Sequence, residues 1–285
     1  ASCLVGSEMC IRDRYCAIVL QWPWYLCLLA AMLFGAIWGA LPGIFKAYLN
    51  INEVITAIMF NWIGLYMVND IMYGKGKSPM YDLASTKTYS LRKAAPQAMI
   101  PSLGMSELFG KLQSVTIAIF IAIFFAIIVY IILNKTAFGY ELRACGFNKN
   151  AARYAGINEK RNIILAMMIS GALAGVGAGL YYLSTVAEWN PQVSTALPAM
   201  GFNGISTALL ACSNPIGTIF SSLFISYITV GGTKLSTQYY TKEIADVITA
   251  LIIYLCAFSL LFKNKIRALL VGKAKRVSVG KGGDD

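Results

Sequence analysis

The sequence predicts an all-α fold: a polytopic transmembrane helical bundle of about seven apolar segments, some of them short or broken. Three observations carry this expectation. Of the 285 residues, 58% are hydrophobic and only 13% are charged, roughly half the charged share of a soluble domain. Mean hydropathy is +0.63, more apolar surface than a soluble fold can hide, so the bilayer is the expected solvent. The basic residues behind the net charge of +11 gather in loops and at the C-terminus, which suits anchoring against anionic lipid. No basic groove with interleaved aromatics is visible, so nucleic acid is not an expected partner. The chain has no histidine, which removes His-based triads, histidine bases and the common zinc sites. No metal or other cofactor is expected. Seven cysteines occur without a CxxC pair, and Cys27, Cys212 and Cys256 lie in or beside apolar runs as expected packing residues.

Residues 1–14 read differently from the rest. They lack the basic start, apolar core and small-residue cleavage site of a signal peptide. The piece from Glu8 to Arg14 resembles a translated sequencing-adapter read-through. The expectation is a non-native leader over 1–14, a transmembrane domain over 15–262, and a basic cytoplasmic tail over 263–285.

Leu26 to Ile44 is the first apolar helix, with Pro42-Gly43 expected to end or kink it. Lys46 to Asn50 is a short polar link. Glu53 to Met72 is the second helix, with Glu53, Ala57, Asn61 and Gly64 on one face. Polar groups at membrane depth face a cavity or a partner. Asn61 is therefore a pathway candidate, with an interhelical hydrogen bond as the equal alternative. Tyr73 to Lys111 is a long polar loop. Its Gly76-Lys77-Ser78 lacks the upstream glycine of a phosphate-binding loop, where Ile71 stands, so nucleotide binding is rejected there. Val115 to Leu133 is the third helix, dense in Ile and Phe and expected to face lipid.

The segment Phe138 to Ile157 follows, polar between strongly apolar runs. A Gly-Tyr-Glu-Leu-Arg-Ala turn is expected to lead into a short helix capped by Asn148 and stopped by Gly156. Ala151, Ala152 and Ala155 give that helix a face of little bulk, suited to docking in a cleft of another protein. An ordinary cytoplasmic loop is the alternative. Ile163 to Val186 is the fourth helix, in which Gly171, Gly175 and Gly179 form an expected packing seam. After a polar loop over 188–198, Ala199 to Cys212 and Ile216 to Val230 are short apolar pieces joined by Ser213-Asn214-Pro215. Such interrupted segments point to a transporter's pathway. Ile244 to Phe262 is the last helix. The 138–157 region and its flanks carry six Lys or Arg and the tail seven. The four crossings between them put both in the cytoplasm.

Read with Asn52-Glu53-Val54-Ile55 and GFNGISTALLACSNPIG (Gly201 to Gly217), the 138–157 loop resembles the permease subunit of a bacterial ABC importer. The similar branch is the nucleoside, simple-sugar-like one, related to branched-chain amino-acid permeases. The resemblance runs from about Trp38 to Phe262. It implies a plasma-membrane importer subunit, not itself an enzyme, that works with an ATP-binding subunit, a second permease subunit and an extracellular substrate-binding lipoprotein. It also implies that Glu141 to Ile157 forms the coupling helix. The coupling residues would be Glu141, Arg143, Gly146, Asn148, Ala151, Ala152, Tyr154, Ala155 and Gly156. Arg143 would pair with an acidic ATPase residue, and Tyr154 would pack in its groove. Asn61, Phe202 and Asn203 are the pathway candidates. Asn203 stands where the family usually carries aspartate. A glycine-rich Asn-Ile-Gly-x-Glu-Gly-Gln type motif near the family's N-terminus has no counterpart, so an N-terminally truncated chain is expected. Simple sugars or branched-chain amino acids are the alternative substrates. A secondary transporter would favour carboxylates at mid-depth, whereas Glu53, Asp70 and Asp246 sit near helix ends.

Overall fold

The computed structural model describes residues 17–18, 20–73, 81–82, 87–88, 95–101, 116–184 and 199–234, with helical residues at 244, 247–248, 250–252 and 254–255. The leader 1–14, the loop 188–198, Cys256, most of the Ile244–Phe262 segment and the tail 263–285 lie outside the described residues. The chain divides into two compact units, Ala1–Phe202 and Asn203–Asp285.

In the first unit, α1 spans Trp24–Leu49 and α2 spans Glu53–Tyr73. Pro42 does not end α1, which runs seven residues beyond it to an Asn50 in the left-handed region at φ 51°. Pro42 is buried, and its neighbours Gly39 and Gly43 abut Met167. Packing thus holds the backbone helical despite the missing N–H, as neighbouring helices allow in membranes. Asn52 then starts α2 by accepting from the Val54 amide at 2.9 Å, and its carbonyl accepts from the Thr56 hydroxyl at 3.0 Å. Between α2 and the next helix lie a two-residue antiparallel pair, β1 (Tyr81–Asp82) with β2 (Lys87–Thr88), and a 3-10 turn at Pro96–Ala98.

Helix α3, Ala118–Lys135, has no buried residue. Its Ile119, Phe120, Phe124, Ile127 and Ile131 are exposed, as a lipid-facing helix requires. Helices α4 (Ala137–Phe147) and α5 (Lys149–Tyr154) precede the long α6 (Glu159–Leu183). Helix α6 lies along α1, and glycines set the distance. A Cβ on Gly171 would meet the Gly35 carbonyl oxygen and stand 2.9 Å from Gly39 Cα; one on Gly39 would stand 2.7 Å from the Met167 carbonyl oxygen. Gly175 abuts the Ala31 carbonyl in the same way, and Gly179 is buried. Above this seam α2 closes a core of Ala31, Leu65, Val68, Ala178 and Tyr182.

The two ends of this unit differ. At one end, the Ile100 amide reaches the Leu183 carbonyl at 3.4 Å, and Ala98 and Ile100 pack with Cys27. At the other end, Lys46 pairs with Glu53, and the Lys160 ammonium sits 4.9 Å over the Tyr48 ring. The link between α1 and α2 therefore shares an end with the basic 138–157 loop.

Helix α7 spans Ala199–Leu210 and the second unit begins within it; α8 spans Pro215–Lys234. Cys212 and Ser213 turn the chain with φ of 50° and 58°. Cys212 is exposed there, so it is not the packing residue its apolar neighbours predict. Asn214 caps α8 by accepting from the Ile216 amide at 3.0 Å, with Pro215 at the first helical position. The Ser221 hydroxyl donates to the Thr207 carbonyl at 2.8 Å, which ties α8 to α7. Among the described residues, α1, α3, α6 and Pro215–Gly232 of α8 are long and apolar enough to cross a membrane; α2 is a shorter apolar helix over Glu53–Val68.

Candidate functional site

The 138–157 region is built from local rules. Thr136 accepts from the Gly139 amide at 3.1 Å and so caps α4. Gly139 is pressed against α3: an added Cβ would stand 2.6 Å from Leu133 Cα. Only glycine fits so sharp a reversal. The residues after it, expected as a turn, are helical instead. Glu141, Leu142, Arg143 and Ala144 are good helix formers, and the Thr136 cap supplies the start that a turn reading overlooks.

The chain then breaks at Asn148, whose Oδ1 accepts from the amides of Asn150 and Ala151 at 3.0 and 3.2 Å. Helix α5 ends at Gly156 with φ 79°. The Gly156 amide donates to the Arg153 carbonyl and the Ile157 amide to the Ala152 carbonyl, at 3.1 and 3.0 Å, the paired bonds of a Schellman stop. Asn158 restarts the chain as α6 by accepting from the Arg161 amide. A six-residue helix is thus held by side-chain and backbone caps at both ends.

The small face is not what three alanines in close succession suggest. Ala151 and Ala155 are exposed, but Ala152 is only 3% exposed and faces the chain's own interior. Successive residues differ by about 100° around a helix, so positions four apart share a face and adjacent ones do not. Two aromatic rings stand out beside the exposed pair. Phe147 is 92% exposed and Tyr154 94% exposed. Phe147 is missed by a reading that seeks polarity in loops. An apolar residue in a polar segment is the signal that marks it.

The other expected coupling residues divide by direction. Gly146 is exposed with open space around it. Arg143 is exposed and donates to the Asn134 Oδ1 at 3.3 Å. Glu141 turns inward, where its carboxylate accepts from the Asn162 side-chain amide at 3.1 Å. Asn162 is buried, and its amide also lies 3.8 Å from the Cys145 sulfur. A cleft of about 320 Å³ sits beside this contact, lined by Lys46, Glu53, Leu142, Cys145, Lys149 and Asn162. It joins the loop to the α1–α2 link and to the start of α6. Asn162 is invisible in the sequence because its partner is 21 positions away.

The pathway candidates separate. Asn61 is buried in the first unit at 3% exposure. Asn203 is half-buried in the second unit, and the Phe202 side chain lies outside the described residues.

Residues 14–257 match the family described as "Branched-chain amino acid transport system / permease component". The chain belongs to this permease family. It is 33% identical over 257 residues to the nucleoside ABC transporter permease protein NupB of Lactococcus lactis, covering 90% of this chain and 69% of the relative. It is 32% identical over 252 residues to the guanosine ABC transporter permease protein NupP of Bacillus subtilis, covering 88% and 68%. The glucose ABC transporter permease protein TsgB13 of Haloferax volcanii is 25% identical over 265 residues, covering 92% and 67%. No solved structure matches the chain. Family and apolar helices together make this permease a multi-pass integral protein of the plasma membrane.

Proposed function

We propose that this permease carries nucleosides inward as one subunit of an ATP-driven importer, and that its 138–157 loop docks on a separate ATP-binding subunit. Phe147 and Tyr154 carry the docking half of the reading. Two aromatic side chains almost wholly outside the chain, Phe147 at the end of α4 and Tyr154 at the end of the doubly capped α5, form an anchor pair without an anchorage. Ala151 and Ala155 leave room beside them for a groove wall to approach. The inward side of α4 is tied to α6 by the Glu141–Asn162 hydrogen bond. A push on the aromatic pair therefore reaches the membrane helices. Arg143, exposed and bonded to Asn134, would exchange that contact for an acidic groove residue on docking.

The nucleoside half rests on the names of NupB and NupP. TsgB13 supports a second reading, a sugar. A second permease subunit and an extracellular binding lipoprotein complete the proposed assembly, and Asn61, Phe202 and Asn203 are its proposed pathway residues. The test is uptake of labelled guanosine, glucose and leucine by cells expressing the permease with these partners. Accumulation of guanosine alone supports the reading. Accumulation of glucose or leucine in its place refutes the nucleoside assignment.

A further inference from the structure

Two buried polar atoms in the first unit have no hydrogen-bond partner among the described residues: Nε1 of Trp38 on α1 and Oδ1 of Asn61 on α2. One is a donor that lacks an acceptor, and the other is an acceptor that lacks a donor. The two residues lie on helices that touch. The Trp38 ring meets Phe60, the residue before Asn61, edge-on at 5.7 Å between centroids, and Phe45 meets the same Phe60 at 5.7 Å. At 1.5 Å per helical residue, Trp38 lies about 16 Å from the Leu49 end of α1 and Asn61 about 12 Å from the Glu53 end of α2. Both are near the middle of a hydrocarbon layer of about 30 Å. An unmet side-chain carbonyl or indole N–H at that depth costs free energy that an apolar side chain would not. Helix α1 carries no charge other than Lys46, and α2 none between Glu53 and Asp70. Nothing at this depth on either helix would hold an ionic ligand.

We infer that Trp38 and Asn61 form a two-point hydrogen-bonding subsite for the uncharged permeant, the indole N–H donating to a ligand acceptor and the Asn61 carbonyl accepting from a neighbouring ligand N–H or O–H. The Phe60 and Phe45 rings supply an aromatic wall for a flat ligand. A nucleobase edge carries such an acceptor beside a donor. The choice of a nucleoside rests on the function proposed above; the subsite itself does not.

The test uses the full chain in lipid nanodiscs, titrated with guanosine and with glucose and read by thermal melting and tryptophan emission. Wild type should melt later with guanosine. Trp38→Phe and Asn61→Leu should each bind about tenfold more weakly, the loss of one buried hydrogen bond. Without ligand, Asn61→Leu should melt no earlier than wild type, because an unmet buried carbonyl oxygen has been removed. A role confined to packing would not separate binding from melting in this way. Trp38→Phe removes the N–H donor and answers alone should Asn61→Leu fail to assemble. Equal guanosine affinity in wild type and both variants overturns the subsite, as does a wild type that responds to neither ligand. A response to glucose alone, lost in both variants, upholds the subsite and refutes the nucleoside assignment.

Discussion

Replacing Gly171 with alanine should push apart a pair of membrane helices that touch through their backbones. The new Cβ would overlap the Gly35 carbonyl oxygen and lie 2.9 Å from Gly39 Cα and 3.2 Å from the Gly35 carbonyl carbon. None of these atoms can swing aside as a side-chain tip does. Overpacking a tight site costs about 1–3 kcal/mol, and rigid backbone neighbours put this case at the upper end. Exchanging glycine for alanine in a helix recovers up to about 1 kcal/mol. The net expectation is a loss of about 2 kcal/mol. Gly177, on the same helix, is the control, because a Cβ there meets nothing within 4 Å. Gly177→Ala should be neutral or stabilise by up to about 1 kcal/mol. Melting midpoints of the purified chain in nanodiscs measure both, at roughly 2–4 °C per kcal/mol for a chain of this order of size. Opposite signs are expected. Equal, near-zero shifts would refute the glycine contact between α1 and α6.

Other substitutions follow from the same geometry. Phe147→Ala with Tyr154→Ala should leave the melting midpoint within about 0.5 kcal/mol of wild type, as surface changes do, while uptake falls at unchanged permease abundance; unimpaired uptake would count against docking. Ala152→Leu should destabilise by about 1–3 kcal/mol because its methyl is buried, whereas Ala155→Leu should spare the fold and impair only uptake, a contrast visible by comparing melting with transport. Asn148→Ala should cost about 1 kcal/mol by uncapping α5, measured as earlier melting or faster amide exchange over 150–154.

What the sequence reveals here is what depends on neighbours in the chain. The Asn148 cap, the Gly156 stop and the lipid-facing α3 follow from residues within a few positions of one another. Helix α1 passes Pro42 because α6 braces it, a contact more than a hundred positions away in the chain. Helix α4 hides behind Gly139, whose presence suggests a turn but whose cause is the closeness of α3. The three alanines mislead when grouped by size, and the helical angle between 151 and 152 corrects them. Asn162, Trp38 and the exposure of Cys212 depend on tertiary placement, which no local pattern states. The family resemblance, by contrast, rests on three motifs in order and needs no tertiary contact to be legible.

Docking of the loop is tested most simply by site-specific crosslinking in membranes that contain the permease and its ATP-binding subunit. Cysteines would replace Tyr154, Phe147 and, as a lipid-facing control, Phe124, which is 60% exposed. Docking through the aromatic pair predicts crosslinks to the ATP-binding subunit from 154 and 147 and none from 124. Absence of a crosslink from both loop positions, or equal crosslinking from 124, would contradict it.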